Sequence, residues 1–73
     1  MNHADTIKAL NNGATLHIDH KTDRCWVCTP PPITLHSIRR TTADKIVDMA
    51  CLNGYYFKGH SIYSVKEEGN NNG

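Results

Sequence analysis

Between positions 17 and 28 the chain carries His17-x-x-His20 and then Cys25-x-x-Cys28, four soft or borderline ligands in a combination that zinc accepts. A zinc ligand pair normally closes a tight turn between its two cysteines. Here Trp26 and Val27 are strand formers, and in an extended chain they send Cys25 and Cys28 to opposite faces. His17 and His20 diverge for the same reason. The residues therefore favour a small buried Cys25 among ordinary strand neighbours, with no cofactor required and zinc as the alternative. No helix N-terminus follows the pair to lower a thiolate pKa, which argues against a redox role. The run His17-Ile18-Asp19-His20 also sets histidine beside an acid, the arrangement of a general base with its orienter. Yet Ser37, Ser61 and Ser64 lack the strained or glycine-rich turn that presents a nucleophile, so the expectation is a protein that is not an enzyme.

Two further groups of residues point to binding. Arg39-Arg40 is the adjacent basic pair, and with Lys58 and His60 it could contact phosphates or an acidic protein surface. Placed just ahead of a helix, that pair opposes the helix dipole at a cost of a few tenths of a kcal/mol, which invites a functional explanation. Tyr55, Tyr56, Phe57 and Tyr63 make up four of the five aromatic residues, and strand alternation prevents all of them from facing one core. Tyr and Trp bury large areas at low entropy cost, so Tyr56, Tyr63 and Trp26 are the first interface candidates.

The elements that must position these groups follow from periodicity. Asn2 or Asp5 can cap a short helix with Ala4, Ile7 and Leu10 at three-residue spacing, and Asn11-Asn12-Gly13 stops it. Alternation then takes over in Leu16 to Asp19 and Arg24 to Cys28, joined by the polar turn His20-Lys21-Thr22-Asp23. This hairpin would set Ile18 opposite Cys25 and His17 opposite Trp26, leaving Trp26 on the less apolar face with Thr15, His17 and Cys28. Pro30-Pro31-Pro32 ends the second strand as a stiff connector, and a short extended piece from Ile33 to Ser37 can follow. The spacing of Ala43, Ile46, Val47, Ala50 and Cys51 predicts a second helix, with Thr41 as cap, Asp44 as capping-box acid and Asn53-Gly54 as its stop. Tyr55 to Phe57 and Ser61 to Val65, around a Lys58-Gly59-His60 turn, predict a second hairpin.

The fold expected is a compact α+β domain over residues 1–66, two helices packed on a short antiparallel sheet in the order helix, hairpin, helix, hairpin. Residues 67–73 are expected to be a disordered polar tail. The expected core is Ile7, Leu10, Leu16, Ile18, Val27, Ile46, Val47, Ala50, Leu52, Phe57 and Ile62.

A chain of 73 residues hides only ~60% of the surface its unfolded form exposes. With 38% hydrophobic residues, burial should leave a net stability of ~3–5 kcal/mol unless a partner, possible as a symmetric second copy, completes the core. Pockets that hold small molecules enclose ~300–1,000 Å³, a large void for so little core. Eight Lys and Arg against seven Asp and Glu give a net charge of +1, weak support for affinity built on phosphate neutralisation. The first twenty residues hold no signal-peptide run and the apolar stretch from Ile46 to Phe57 is broken by Asp48, Asn53 and Gly54. The expectation is a cytoplasmic protein with reduced cysteines and no membrane partner.

The runs Gly13-Ala14-Thr15-Leu16, Cys25-Trp26-Val27, Thr41 to Val47 and Leu52-Asn53-Gly54-Tyr55-Tyr56 resemble those of short accessory proteins encoded by phages and prophages, over roughly residues 5 to 66. Some of these have winged-helix-like folds. The resemblance implies a regulator or inhibitor in the host cytoplasm: an antirepressor, an anti-defence protein such as an anti-CRISPR, or a DNA-binding transcription factor. The expected function is a modulator that binds a host or phage regulatory or defence protein. Its binding residues would be Trp26, Arg39, Arg40, Tyr56, Lys58, His60 and Tyr63. The alternative is a small winged-helix-like DNA-binding regulator. Against that alternative, the second helix carries Lys45 as its cation beside Asp44 and Asp48.

Overall fold

The computed structural model describes residues 1–66, and the tail expected over 67–73 lies outside the described residues. Helix α1 (His3–Asn11) starts where Asn2 accepts the Asp5 amide in its side chain, one of the two caps expected. Its inner face is Thr6 and Leu10 rather than Ala4, which is exposed. Thr6 can be fully buried because its hydroxyl donates to the Asn2 carbonyl at 2.7 Å.

Five strands follow: β1 (Thr15–Asp19), β2 (Arg24–Cys28), β3 (Leu35–Ile38), then, after helix α2 (Arg40–Met49), β4 (Leu52–Phe57) and β5 (His60–Val65). They form one antiparallel sheet in the order β3-β2-β1-β5-β4. The β1–β2 register is the expected one, with Leu16 opposite Val27 and His17 opposite Trp26. The prolines do more than connect. Thr29 and Thr34 close the loop around them, with the Thr29 amide on the Thr34 carbonyl at 3.0 Å and the Thr34 amide on Thr29 Oγ1 at 3.0 Å. That closure returns the chain along β2, so the short extended piece becomes a fifth strand.

Helix α2 begins earlier and ends earlier than its sequence suggests. Arg39 occupies the cap position without a side-chain bond, and Thr41 lies inside the helix. Arg40, in the first turn, instead ion-pairs with Asp44 one turn on (3.0 Å) and with Asp23 of the β1–β2 turn. At the other end Ala50 is already extended, and Asn53-Gly54 belongs to β4 instead of stopping the helix. Six ladder pairs from Leu52↔Val65 to Phe57↔His60 outweigh one further helical turn through Asn53 and Gly54, both poor helix formers. The β4–β5 turn is the two residues Lys58 and Gly59, with φ of 52° and 81°, the pattern of a type I′ hairpin.

The core is one cluster: Leu10, Ala14, Leu16, Ile18, Cys25, Val27, Ile38, Ala43 and Ile46, with Ile7, Val47, Ala50, Leu52 and Tyr63 packed partly against it. Two expected members are absent. Phe57 is 56% exposed, and Ile62 pairs with His17 on the opposite face of the sheet. Among the described residues no helix is long and apolar enough to cross a membrane.

Ile46→Ala, at a position with no exposed surface, should lower stability by ~2–5 kcal/mol, enough to unfold much of so small a domain. Phe57→Ala should stay within ~0.5 kcal/mol. Urea unfolding followed by circular dichroism separates the two, and a large loss at Phe57 would show that it belongs to a core.

Candidate functional site

Both helices pack on the face of the sheet that carries Leu16, Ile18, Val27 and Tyr63. Residues paired across the strands share a face. The other face is therefore fixed by the register: Thr15, His17 and Asp19 on β1, Arg24, Trp26 and Cys28 on β2, Leu35 and Ser37 on β3, Asn53, Tyr55 and Phe57 on β4, and His60, Ile62 and Ser64 on β5. No described element covers it. Leu35, Tyr55 and Phe57 are 65%, 64% and 56% exposed.

At its centre three rings touch. His17 stacks on Trp26 with centroids 5.4 Å apart and planes within 7°, and His60 meets both edge-on at 5.2 and 5.3 Å. His17 Nδ1 lies 3.1 Å from His60 Nε2, and Thr15 Oγ1 lies 2.8 Å from His17 Nε2. One proton between the two imidazoles satisfies this contact, whereas two would oppose each other. Burial first, and the neighbouring His60 second, lower the His17 pKa below its ordinary 6.5. At the edge of the cluster the Lys21 amide, 3.0 Å away, holds the Asp19 carboxyl below the usual carboxylate range.

Comparison with family models, curated proteins and solved structures finds no match to this chain. The site's chemistry thus has to be argued from its own residues.

Of the residues singled out by sequence, Trp26 and His60 come together in the ring cluster. Trp26 also joins Arg39 and Arg40 along a groove of about 670 Å³ that includes Arg24 and Leu35. Arg40 is turned onto Asp23 and Asp44, so it positions the groove wall more than it offers charge. Lys58 stands at the hairpin tip with Nζ 5.2 Å from the Phe57 ring centre, a cation over an exposed aromatic face. Tyr56 and Tyr63 lie elsewhere, on the helix side of the sheet. Tyr63 covers Gly54 so closely that a Cβ there would sit 2.9 Å from its ring, and it packs against the core. Tyr56 leans on His20, with ring centres 5.7 Å apart. What sequence reasoning missed is the rest of the open face, Arg24, Leu35, Tyr55, Phe57 and Ile62. Their common side is set by the β1–β5 and β2–β3 pairings, the first of which joins residues more than forty positions apart.

The suggested zinc set is divided between the two faces. His17 and Cys28 are on the open side, His20 and Cys25 on the helix side, and among the described residues no three His, Cys, Asp or Glu side chains converge on a metal site. Cys25 is buried beneath α2, and burial pushes its thiol pKa up, away from reactive thiolate. His20 Nε2 does meet a serine hydroxyl, Ser61 Oγ at 2.7 Å. Ser61 is only 5% exposed, and no carboxylate among the described residues hydrogen-bonds His20, so the pair satisfies a buried hydroxyl rather than presenting a nucleophile.

The lowered His17 pKa sets the sign of a pH effect. Below pH 6.5 the unfolded chain takes up a proton that the folded His17 resists, so stability is full above that value and falls as the solution is acidified toward the lowered pKa. His17→Gln should flatten the decline between about pH 7 and 5. Unfolding midpoints measured across that range check this, and an unchanged slope would show that His17 titrates normally.

Proposed function

We propose that the chain is a non-enzymatic, phage-type modulator that binds a host or phage regulatory or defence protein, as an antirepressor or anti-CRISPR does, through the open face of its sheet. The observation that carries this reading is the half-buried ring cluster of Trp26, His17 and His60 at the centre of the open face, with Ile62 beside it and the exposed Leu35, Tyr55 and Phe57 around it. Soluble domains rarely leave contiguous apolar rings to water unless a partner takes them. Such a face supplies rigid aromatic anchors at low entropy cost, and its polar tips keep it wettable when free. Arg24, Arg39 and Lys58 rim the face, and among the described residues the ion pairs are those of Arg40 alone. The chemistry complements a target that places acidic side chains around an apolar centre. No cofactor enters this reading, and the setting is the cytoplasm of the host cell.

A nucleic-acid partner is the second reading, favoured by the same rings and cations, since bases stack on exposed aromatic side chains of open sheets. It would use the sheet and not the α2 face of a winged-helix reader, where Asp44 and Asp48 stand beside Lys45, and Arg40, the helix's other cation, is already paired.

The deciding experiment is capture of partners from a bacterial lysate on the tagged chain, with and without nuclease. A protein retained in near-equal amount after nuclease supports the modulator, and loss of all protein on digestion with recovered nucleic acid overturns it in favour of the second reading. For the captured protein, Trp26→Ala should weaken binding by ~30-fold or more, as truncating an anchor does, while the far-ultraviolet dichroism is unchanged. Full affinity in Trp26→Ala would place the interface away from the open face.

A further inference from the structure

The sheet has two edges, and they differ. The β3 edge is four residues long, follows the prolines, and has its Ser37 carbonyl taken by the amino group of Met1 at 2.9 Å. The β4 edge, Leu52-Asn53-Gly54-Tyr55-Tyr56-Phe57, has six residues with neither charge nor proline, the features that normally blunt an edge.

The groups it leaves unpaired among the described residues can be assigned. The Lys66 amide donates to the Cys51 carbonyl, so Cys51 and Lys66 form a hydrogen-bonded pair of the β4–β5 ladder. Alternation makes Asn53↔Ser64, Tyr55↔Ile62 and Phe57↔His60 hydrogen-bonded pairs as well. Leu52, Gly54 and Tyr56 therefore turn both N–H and C=O outward. An antiparallel copy of the same strand, related by a twofold axis at Gly54, meets all of them: Leu52 opposite Tyr56, Gly54 opposite Gly54, Tyr56 opposite Leu52, each pair exchanging two bonds.

A second observation selects the same register. On the helix side, beside Leu52, lies a mainly apolar groove of about 440 Å³ lined by Ile7, Leu10, Ala50, Leu52 and Val65 together with Asn11, Cys51 and Lys66. Tyr56 is on that side of the sheet and 67% exposed. The twofold register delivers the Tyr56 ring of each copy next to Leu52 of the other, at the mouth of this groove. A neutral strand pairs with itself without like-charge conflict, and it gives a charged foreign strand nothing to complement.

We propose that β4 is a self-association edge: two copies pair antiparallel through Leu52, Gly54 and Tyr56 on a twofold axis at Gly54, joining their sheets into one. The blunted β3 edges then end the assembly as a closed dimer instead of a fibre. The proposal is independent of the open-face reading, because it uses the strand edge and the helix side. An edge contact of this size belongs to the weak class, with a dissociation constant of roughly 10–100 µM.

Sedimentation equilibrium of the full chain over a concentration series, paired with residue-resolved amide exchange, tests it. The expected result is a mass that doubles with concentration while exchange at Leu52, Gly54 and Tyr56 slows and that at Asn53, Tyr55 and Phe57 stays constant. Tyr56→Lys, an exposed position outside the core, should weaken dimerisation at least ~10-fold with folding intact. Three results overturn the proposal: a monomer up to about ten times the expected constant, a dimer whose Leu52, Gly54 and Tyr56 amides do not respond to concentration, or a monomer in which the same three amides slow only when a foreign partner binds. Since the amide pattern is read on the unmodified chain, a variant that fails to fold leaves the test standing.

Discussion

Strand β1 is bonded on both sides, to β2 and to β5, and its two-residue alternation decides what each face of the molecule can be. Leu16 and Ile18 point toward the helices and are sealed; Thr15, His17 and Asp19 point away. A shift of β1 by one residue against both neighbours would bring His17 into the core and put Leu16 in water. Every other assignment inherits this one: Trp26 is outside because it pairs with His17, and Ile62 is outside because it pairs with the same residue from the other side. The ring cluster exists because β1 is the middle strand.

The helices depend on the same strand in turn. α2 presents Ala43 and Ile46 to the sheet, and α1 closes the layer with Leu10 and Thr6. The charge that α2 would resent at its start is answered locally, since Arg40 is flanked by Asp44 of its own first turns and by Asp23 of the β1–β2 turn. Asp23 has φ of 65°, a left-handed conformation that Asp tolerates better than most residues. Thus the basic pair that looked functional in sequence is half structural: Arg40 ties the hairpin to the helix, and Arg39 lines the groove beside Trp26.

What was legible in the sequence was local. The α1 cap, the first hairpin with its register, the place of Trp26 on the less apolar side and the α+β order all follow from neighbours within about a dozen residues. The misreadings share one cause. Helix α2 looked longer because Ala50 and Cys51 continue its apolar spacing, and the strand that claims Leu52 onward is specified by β5, further along the chain. Phe57 and Ile62 looked like core because they are apolar, while Tyr63 looked like interface because it is a tyrosine. The face of β5 is set by pairing with β1, where Tyr63 sits opposite Leu16 and Ile62 opposite His17. Gly54 explains why that choice is stable: its missing side chain leaves the space that the Tyr63 ring fills. Side-chain chemistry alone carried no trace of that fit.

The uncovered face also follows from size. Two helices of nine and ten residues are each about 15 Å long and about 10 Å across, enough to roof one side of a sheet whose five strands span about 19 Å. No helical material among the described residues is left for the other side. A chain of this length can leave its second face fully polar, or it can place large rings there and let something else supply the missing layer. This chain places large rings there, and those at the centre are imidazoles and an indole, whose nitrogens keep hydrogen-bonding capacity at the surface while their flat bodies exclude water from one another. Ile62 stands beside His17 on β5, while Leu35 sits on the outer strand β3 and Tyr55 and Phe57 on the outer strand β4. On the proposed reading, only a surface large enough to span the sheet would cover both the central rings and these outer residues, which fits a macromolecule better than a small ligand.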